Sequence, residues 1–337
     1  MKAVSLLVAP AWVGDAVMSE PLIRKISAHD QCPVDVLAPP WVAPLYERMP
    51  NVGNVIAAPF THGRFDLTAR WQLGRALRAH SYQNAYILPN SLKSALPTFF
   101  AGIPNRIGFT GESRYGLINQ RQKLDKQLLP RMVDRFLALG PTGRTTLDAD
   151  IPQLSAVPGA FERLRQTLGL TLHGKLAILC PGAEYGPAKR WPAQHFAALA
   201  HRLSQAGYTI WTIGSAKDQE IGASIEALSD GTAINLCGRT KLADAIDLMS
   251  GADIVVSNDS GLMHVAAAFG VPQVAVFGSS SPEHTPPLNE RARVVWLRVD
   301  ANYQPPLACS PCYERTCPLG HTRCLEDVSA ERVYRLL

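Results

Sequence analysis

With 337 residues, 47% hydrophobic and 18% charged, the chain is too long for one small domain and too apolar for a disordered one. A net charge of +5 does not point to nucleic acid, although it suits an anionic substrate or an anionic membrane face. No uninterrupted apolar run reaches the ~18–20 residues needed to span a bilayer.

The opening nine residues are apolar, but Pro10, Trp12 and Asp15 follow with no small-residue cleavage site. They read as a first strand, Ala3–Ala9, of a cytoplasmic chain. A helix-like stretch runs from Asp15 to His29. Apolar runs at Val34–Ala38, Val52–Ala57 and Ala85–Leu88 then alternate with helix-like segments such as Leu67–Ala79, the pattern of a parallel sheet covered by helices. Past Arg106 the pattern weakens, and Asp148–Pro158, followed by Gly159, reads as a linker.

The second half is more regular. Strands at Leu176–Leu179, Thr209–Ile213, Ala233–Leu236, Ile254–Val256 and Gln273–Phe277 alternate with helices at Pro192–Ala206, Lys217–Leu228, Leu242–Met249 and Leu262–Phe269. This is a doubly wound α/β domain. Two such domains face to face would leave a cleft at the carboxyl ends of their strands. Cys32, Cys180 and Cys237 stand alone among seven cysteines, which suits a reducing compartment better than a disulfide framework.

Four constellations bear on chemistry. In the first, Gly14 permits close backbone approach and Asp15 stands at a helix start, where a carboxylate is either an N-cap or a general base held ionised by the helix dipole. No GxGxxG accompanies it, so a nicotinamide dinucleotide is unsupported. The second, Pro181–Pro192, is a Gly/Pro-rich loop from strand to helix carrying Lys189 and Arg190, which suit a diphosphate. The third, Ser257–His264, is a polar burst ending a buried strand. Asp259 or Ser260 can cap the next helix, the N–H groups of Gly261 and Leu262 can meet a phosphate, and His264 lies one turn beyond Ser260.

The fourth is Cys309, Cys312, Cys317 and Cys324, with His321 nearby. The spacing allows a structural zinc site but does not match paired CxxC knuckles, so reduced or locally paired thiols stay open as the alternative. Elsewhere, Asn105–Arg135 carries seven cations against three anions, either a solvated loop or a dock for an anionic acceptor. No Asp-x-Asp motif ends a strand, and Asp148-x-Asp150 falls in the linker, so no divalent ion or other cofactor is expected in the chemistry.

Together with Pro10–Asp15, Pro89–Ser94 and the cysteine-rich tail, these motifs make the chain resemble the bacterial ADP-heptose:lipopolysaccharide heptosyltransferases of glycosyltransferase family 9, the second type most closely. The resemblance covers essentially the whole chain. It implies an α/β GT-B fold: residues 1–155 as an acceptor-binding domain with the general base, 170–325 as the ADP-heptose-binding domain, and 326–337 as a helix packing back on the first. It implies inverting transfer of L-glycero-D-manno-heptose from ADP-heptose to the first heptose of a lipid-anchored, phosphorylated lipopolysaccharide inner core, at the inner face of the inner membrane. Asp15 becomes the general base, Lys189 a contact to the donor diphosphate or sugar, and Asp259, Ser260, Gly261, Leu262 and His264 the element holding donor heptose and phosphates. Arg190, Thr240 and Lys241 join the donor side; Gly14, Asn90, Lys93 and Arg106 face the acceptor. A first-type heptosyltransferase, a later core glycosyltransferase, a non-catalytic nucleotide- or phosphosugar-binding protein and a zinc-dependent protein built on the tail remain as alternatives.

Overall fold

A computed structural model describes residues 3–60, 64–141 and 151–337. The chain divides into two compact units, Met1–Leu154 and Ser155–Leu337, each built on a six-stranded sheet. In the first unit β1 (Ser5–Val8) leads to α1 (Val13–Met18), α2 (Glu20–Asp30), β2 (Val34–Ala38), α3 (Ala43–Tyr46) and β3 (Val52–Ala57). After these come α4 (Leu67–Leu77), β4 (Asn84–Ile87), α5 (Leu92–Phe100), β5 (Asn105–Phe109), β6 (Gln120–Gln122) and α6 (Met132–Ala138). The second unit runs α7 (Ala160–Thr167), β7 (Lys175–Cys180), α8 (Ala193–Gln205), β8 (Tyr208–Thr212), α9 (Gln219–Leu228) and β9 (Ala233–Asn235). It ends with α10 (Leu242–Met249), β10 (Ile254–Asn258), α11 (Gly261–Ala268), β11 (Gln273–Phe277), β12 (Ala292–Trp296), α12 (Arg323–Glu326) and α13 (Ala330–Tyr334).

The strand orders are β3-β2-β1-β4-β5-β6 and β12-β11-β10-β7-β8-β9, and every pairing is parallel. Counted from its own first strand, the second sheet repeats the order of the first. The winding reverses between β1 and β4, and again between β7 and β10. Open α/β sheets bind ligands beyond the carboxyl ends of the strands at such reversals, so the loops after β1, β4, β7 and β10 are the ones to inspect.

Apolar residues place these strands. Every residue of β10 and β11 is buried, as expected for a parallel sheet covered on both faces. On α8, Phe196, Leu199, Ala200 and Leu203 recur at helical spacing and bury against the sheet. Each fully buried residue of the Leu or Phe kind contributes about 1.5–3 kcal/mol.

Two expectations change. The helix expected from Asp15 to His29 is two helices, because Pro21 lacks the N–H that would continue the first. At the junction Ser19 donates to the Ala16 carbonyl at 2.7 Å and lies 3.1 Å from the Tyr46 hydroxyl. The closing helix, expected on the N-terminal domain, packs along α8 of the second unit, where Val328, Ala330 and Val333 join the core. Apolar burial on the nearest helix decides this. Residues 151–157 form no helix or strand; Asp148 and Asp150 lie outside the described residues. Among the described residues no helix is long and apolar enough to cross a membrane.

Candidate active site

The loops after β7 and β10 meet through Lys189 and Asp259. Lys189 ends a 3-10 turn, Pro187–Lys189, and its ammonium lies 2.5 Å from Asp259 Oδ2. Ser280, in the loop after β11, donates to the same oxygen at 2.5 Å. Asp259 is buried, so this carboxylate requires partners. Both fall on Oδ2; among the described residues Oδ1 accepts no hydrogen bond and is open to a further donor.

The rest of the long loop is anchored from several sides. Asn258 accepts from the Trp191 backbone N–H at 2.9 Å and donates to the Pro181 carbonyl at 2.6 Å, tying both loop ends to β10. Trp191 is fully buried and donates through its indole to the Val328 carbonyl at 2.8 Å. Tyr185 donates to the Tyr313 carbonyl at 2.6 Å, and its ring carries Lys189 on one contact and Arg315 on another, each 5.2 Å from the centroid. Gly186 is required by close approach: a Cβ there would collide with the Arg315 carbonyl.

Arg190 does not join Lys189 as expected. It is extended (φ −97°, ψ 114°), so its side chain leaves the turn in another direction and lies 3.6 Å from Asp218. Asp218 also accepts from the Ser215 N–H at 2.9 Å and hydroxyl at 2.7 Å, so Arg190 braces the loop after β8.

Ser260 is the N-cap of α11 without any side-chain cap hydrogen bond. The first-turn N–H groups, including those of Gly261 and Leu262, have no intrahelical partner, so the helix start is open to a hydrogen-bond acceptor. His264 is buried one turn on; burial pushes its pKa down to about 4, with Asp259 opposing and Lys189 adding to the shift. The imidazole is therefore neutral at pH 7. Thr240 and Lys241 follow β9, an edge strand two strands away from β7. The Thr240 hydroxyl is buried without a hydrogen-bond partner, while Lys241 is exposed and caps α10.

In the first unit, Gly14 and Asp15 follow β1 and Asn90 follows β4, the two sides of that reversal. Trp12, not Asp15, is the N-cap of α1. Asp15 sits in the first turn, partly exposed, where the helix dipole favours its charge, and its field reaches Tyr46. Asn90 is exposed and accepts from Arg114 at 3.1 Å. Lys93 lies in the first turn of α5.

Arg106 is differently employed from expectation: its guanidinium donates to the carbonyls of Leu117 (2.7 Å), Ile103 (2.5 Å) and Gly116 (3.3 Å). It closes the β5–β6 loop. Three other cations of the basic stretch are also engaged: Arg114 with Pro89 and Phe109 carbonyls, Arg131 with Asp134, and Arg135 with Leu129 and Pro130 carbonyls. Arg121, Lys123 and Lys126 stay exposed, Arg121 lying over the ring of Tyr115 (73% exposed), and Leu128 (71%) is exposed as well.

The pattern described as glycosyltransferase family 9 (heptosyltransferase) matches residues 70–322. The chain belongs to glycosyltransferase family 9. It is 44% identical over 304 residues to lipopolysaccharide heptosyltransferase 2 of Escherichia coli K12, covering 87% of each chain. It is 41% identical over 309 residues to lipooligosaccharide heptosyltransferase 2 of Haemophilus influenzae, covering 87% of this chain and 88% of that one. The solved structure of E. coli ADP-heptose lps heptosyltransferase II superposes with a TM-score of 0.85 at 40% identity, covering 100% of this chain and 97% of that one. The fold is therefore GT-B, and the protein is a glycosyltransferase.

Several residues of this family 9 site escape sequence reasoning. Ser280 orients Asp259, Asn258 anchors the loop after β7, and Asp218 holds Arg190. For Ser280 a signal existed: Gly278–Ser281 is a polar burst at the end of a buried strand, the same cue that marked Asp259.

Proposed function

We propose that this family 9 enzyme transfers L-glycero-D-manno-heptose from ADP-heptose to the first heptose of the lipopolysaccharide inner core, inverting the anomeric centre. The observation that carries the reading is the Lys189–Asp259–Ser280 cluster beside the open first turn of α11, at the reversal point of the second sheet. The names of the relatives support the donor and the acceptor.

In this reading Asp15 removes the proton from the acceptor hydroxyl as that oxygen attacks the anomeric carbon. The bond from that carbon to the diphosphate oxygen breaks in the same displacement, and ADP leaves. Lys189 and the first-turn N–H groups of α11 meet the charge gathering on the diphosphate, and no divalent ion takes part. Asp259, oriented through Oδ2, uses Oδ1 to accept from a donor hydroxyl. Gly14, Asn90 and Lys93 serve the acceptor. Tyr115, Leu128, Arg121, Lys123 and Lys126 make peripheral contact with the anionic cytoplasmic face of the inner membrane.

Asp15→Asn tests the assignment. Donor binding measured by calorimetry stays within about twofold, while turnover falls by roughly 10²–10⁴. A non-catalytic nucleotide-sugar binder has no need of Asp15, and unchanged turnover would remove it as the base.

A further inference from the structure

The four cysteines of the tail play no part in the transfer step, yet they converge. Cys309, Cys312, Cys317 and Cys324 line one pocket of about 20 Å³, room for a single atom of water size. None is in a disulfide, and Cys309 and Cys324 both pack against the core of the second unit. Cys317 opens a tight turn in which Gly320 is left-handed (φ 71°) and donates to the Cys317 carbonyl at 3.2 Å. His321 accepts through Nδ1 from the Arg323 N–H at 3.2 Å, so its neutral ring carries the proton on Nε2 and the four sulfurs are the ligand set.

We propose that Cys309, Cys312, Cys317 and Cys324 hold one thiophilic divalent metal ion, zinc or iron, as a structural knot that braces the donor loop. Four sulfurs round one pocket exceed what a disulfide needs, and their number and type are those of a tetrathiolate metal site. Among the described residues no trio of His, Cys, Asp or Glu already stands at coordination geometry, so the ion draws the cysteine side chains inward as it binds. Uptake replaces the thiol protons by four metal–sulfur bonds and releases those protons to solvent. Bracing follows from the segment between the cysteines: Arg315 accepts from the Ala188 N–H at 3.1 Å, and Tyr313 accepts from Tyr185, next to Lys189. This bracing role rests on the donor-loop reading above; the metal site does not.

The test is elemental analysis of the full chain purified under reducing conditions from medium containing zinc and iron. About one equivalent of metal per chain is expected, released by a mercurial thiol reagent and replaced by Co²⁺ with a thiolate charge-transfer band. Cys317→Ser should lose the metal and raise the donor KM about tenfold; Cys32→Ala, outside the cluster, should keep the metal. Should Cys317→Ser fail to fold, the wild-type metal content decides alone. Wild-type protein holding under a tenth of an equivalent and refusing Co²⁺, or carrying disulfides among the four by mass, overturns the proposal even if transfer activity is intact.

Discussion

Lys189 and Asp259 are 70 residues apart in sequence and 2.5 Å apart in space, and their ion pair joins the loops after β7 and β10. The pair is mostly buried, so its charges interact more strongly than an exposed pair would. A donor diphosphate arriving at α11 would find a cation already aimed by a neighbouring carboxylate. Lys189→Ala should lower kcat/KM for the donor by roughly 10²–10³, the scale for loss of one preorganised charge donor. Steady-state kinetics with ADP-heptose checks this, and a change under threefold would place the diphosphate elsewhere.

Ser280→Ala removes one of two groups that orient Asp259. The donor KM should rise a few-fold and stability fall by about 0.5–1.5 kcal/mol, the worth of one hydrogen bond. Arg190→Ala should instead act through Asp218 and the loop after β8, weakening the fold locally more than it weakens catalysis.

Arg106 and Lys93 should separate cleanly. Arg106→Glu leaves the carbonyls of Ile103, Gly116 and Leu117 without their donor, and should cost roughly 2–4 kcal/mol in denaturant melts. Lys93→Glu should leave stability within about 0.5 kcal/mol and raise the acceptor KM. An unchanged acceptor KM would remove Lys93 from the acceptor side.

Two buried groups shape the pH profile of stability in opposite directions. His264 has its pKa depressed to about 4, so its contribution is intact above its ordinary 6.5 and is lost as pH falls from there toward 4. Glu20 has its pKa raised to about 7, chiefly by burial against the pull of Arg24, so its contribution is intact below its ordinary 4.5 and is lost as pH rises through 7. Glu20→Gln should therefore stabilise the protein at pH 8, by on the order of 1–3 kcal/mol, and do little at pH 5. Thermal melts at the two pH values check it; equal effects at both would contradict the burial argument.

Much of the second unit was legible because buried parallel strands are short continuous apolar runs. Gln273–Phe277 and Leu242–Met249 match β11 and α10 residue for residue. In the first unit, Gln120–Gln122 forms β6 with no apolar residue, held by its pairing to β5 and not by any local signal. The same gap hid Asn105–Phe109, whose polar start gives no run to read. At the site, residue types and loops were legible but directions were not. Lys189 and Arg190 are adjacent cations in sequence, and only the backbone turn sends one to Asp259 and the other to Asp218. Arg106 looked like a surface charge because three carbonyl acceptors leave no trace in sequence.

The central claim is tested most directly by measuring heptose transfer from ADP-heptose to lipopolysaccharide truncated after its first heptose, beside heptose-free Kdo2–lipid A. Transfer to the first acceptor and none to the second is the predicted result. Transfer only to heptose-free Kdo2–lipid A, or to neither, would contradict the account.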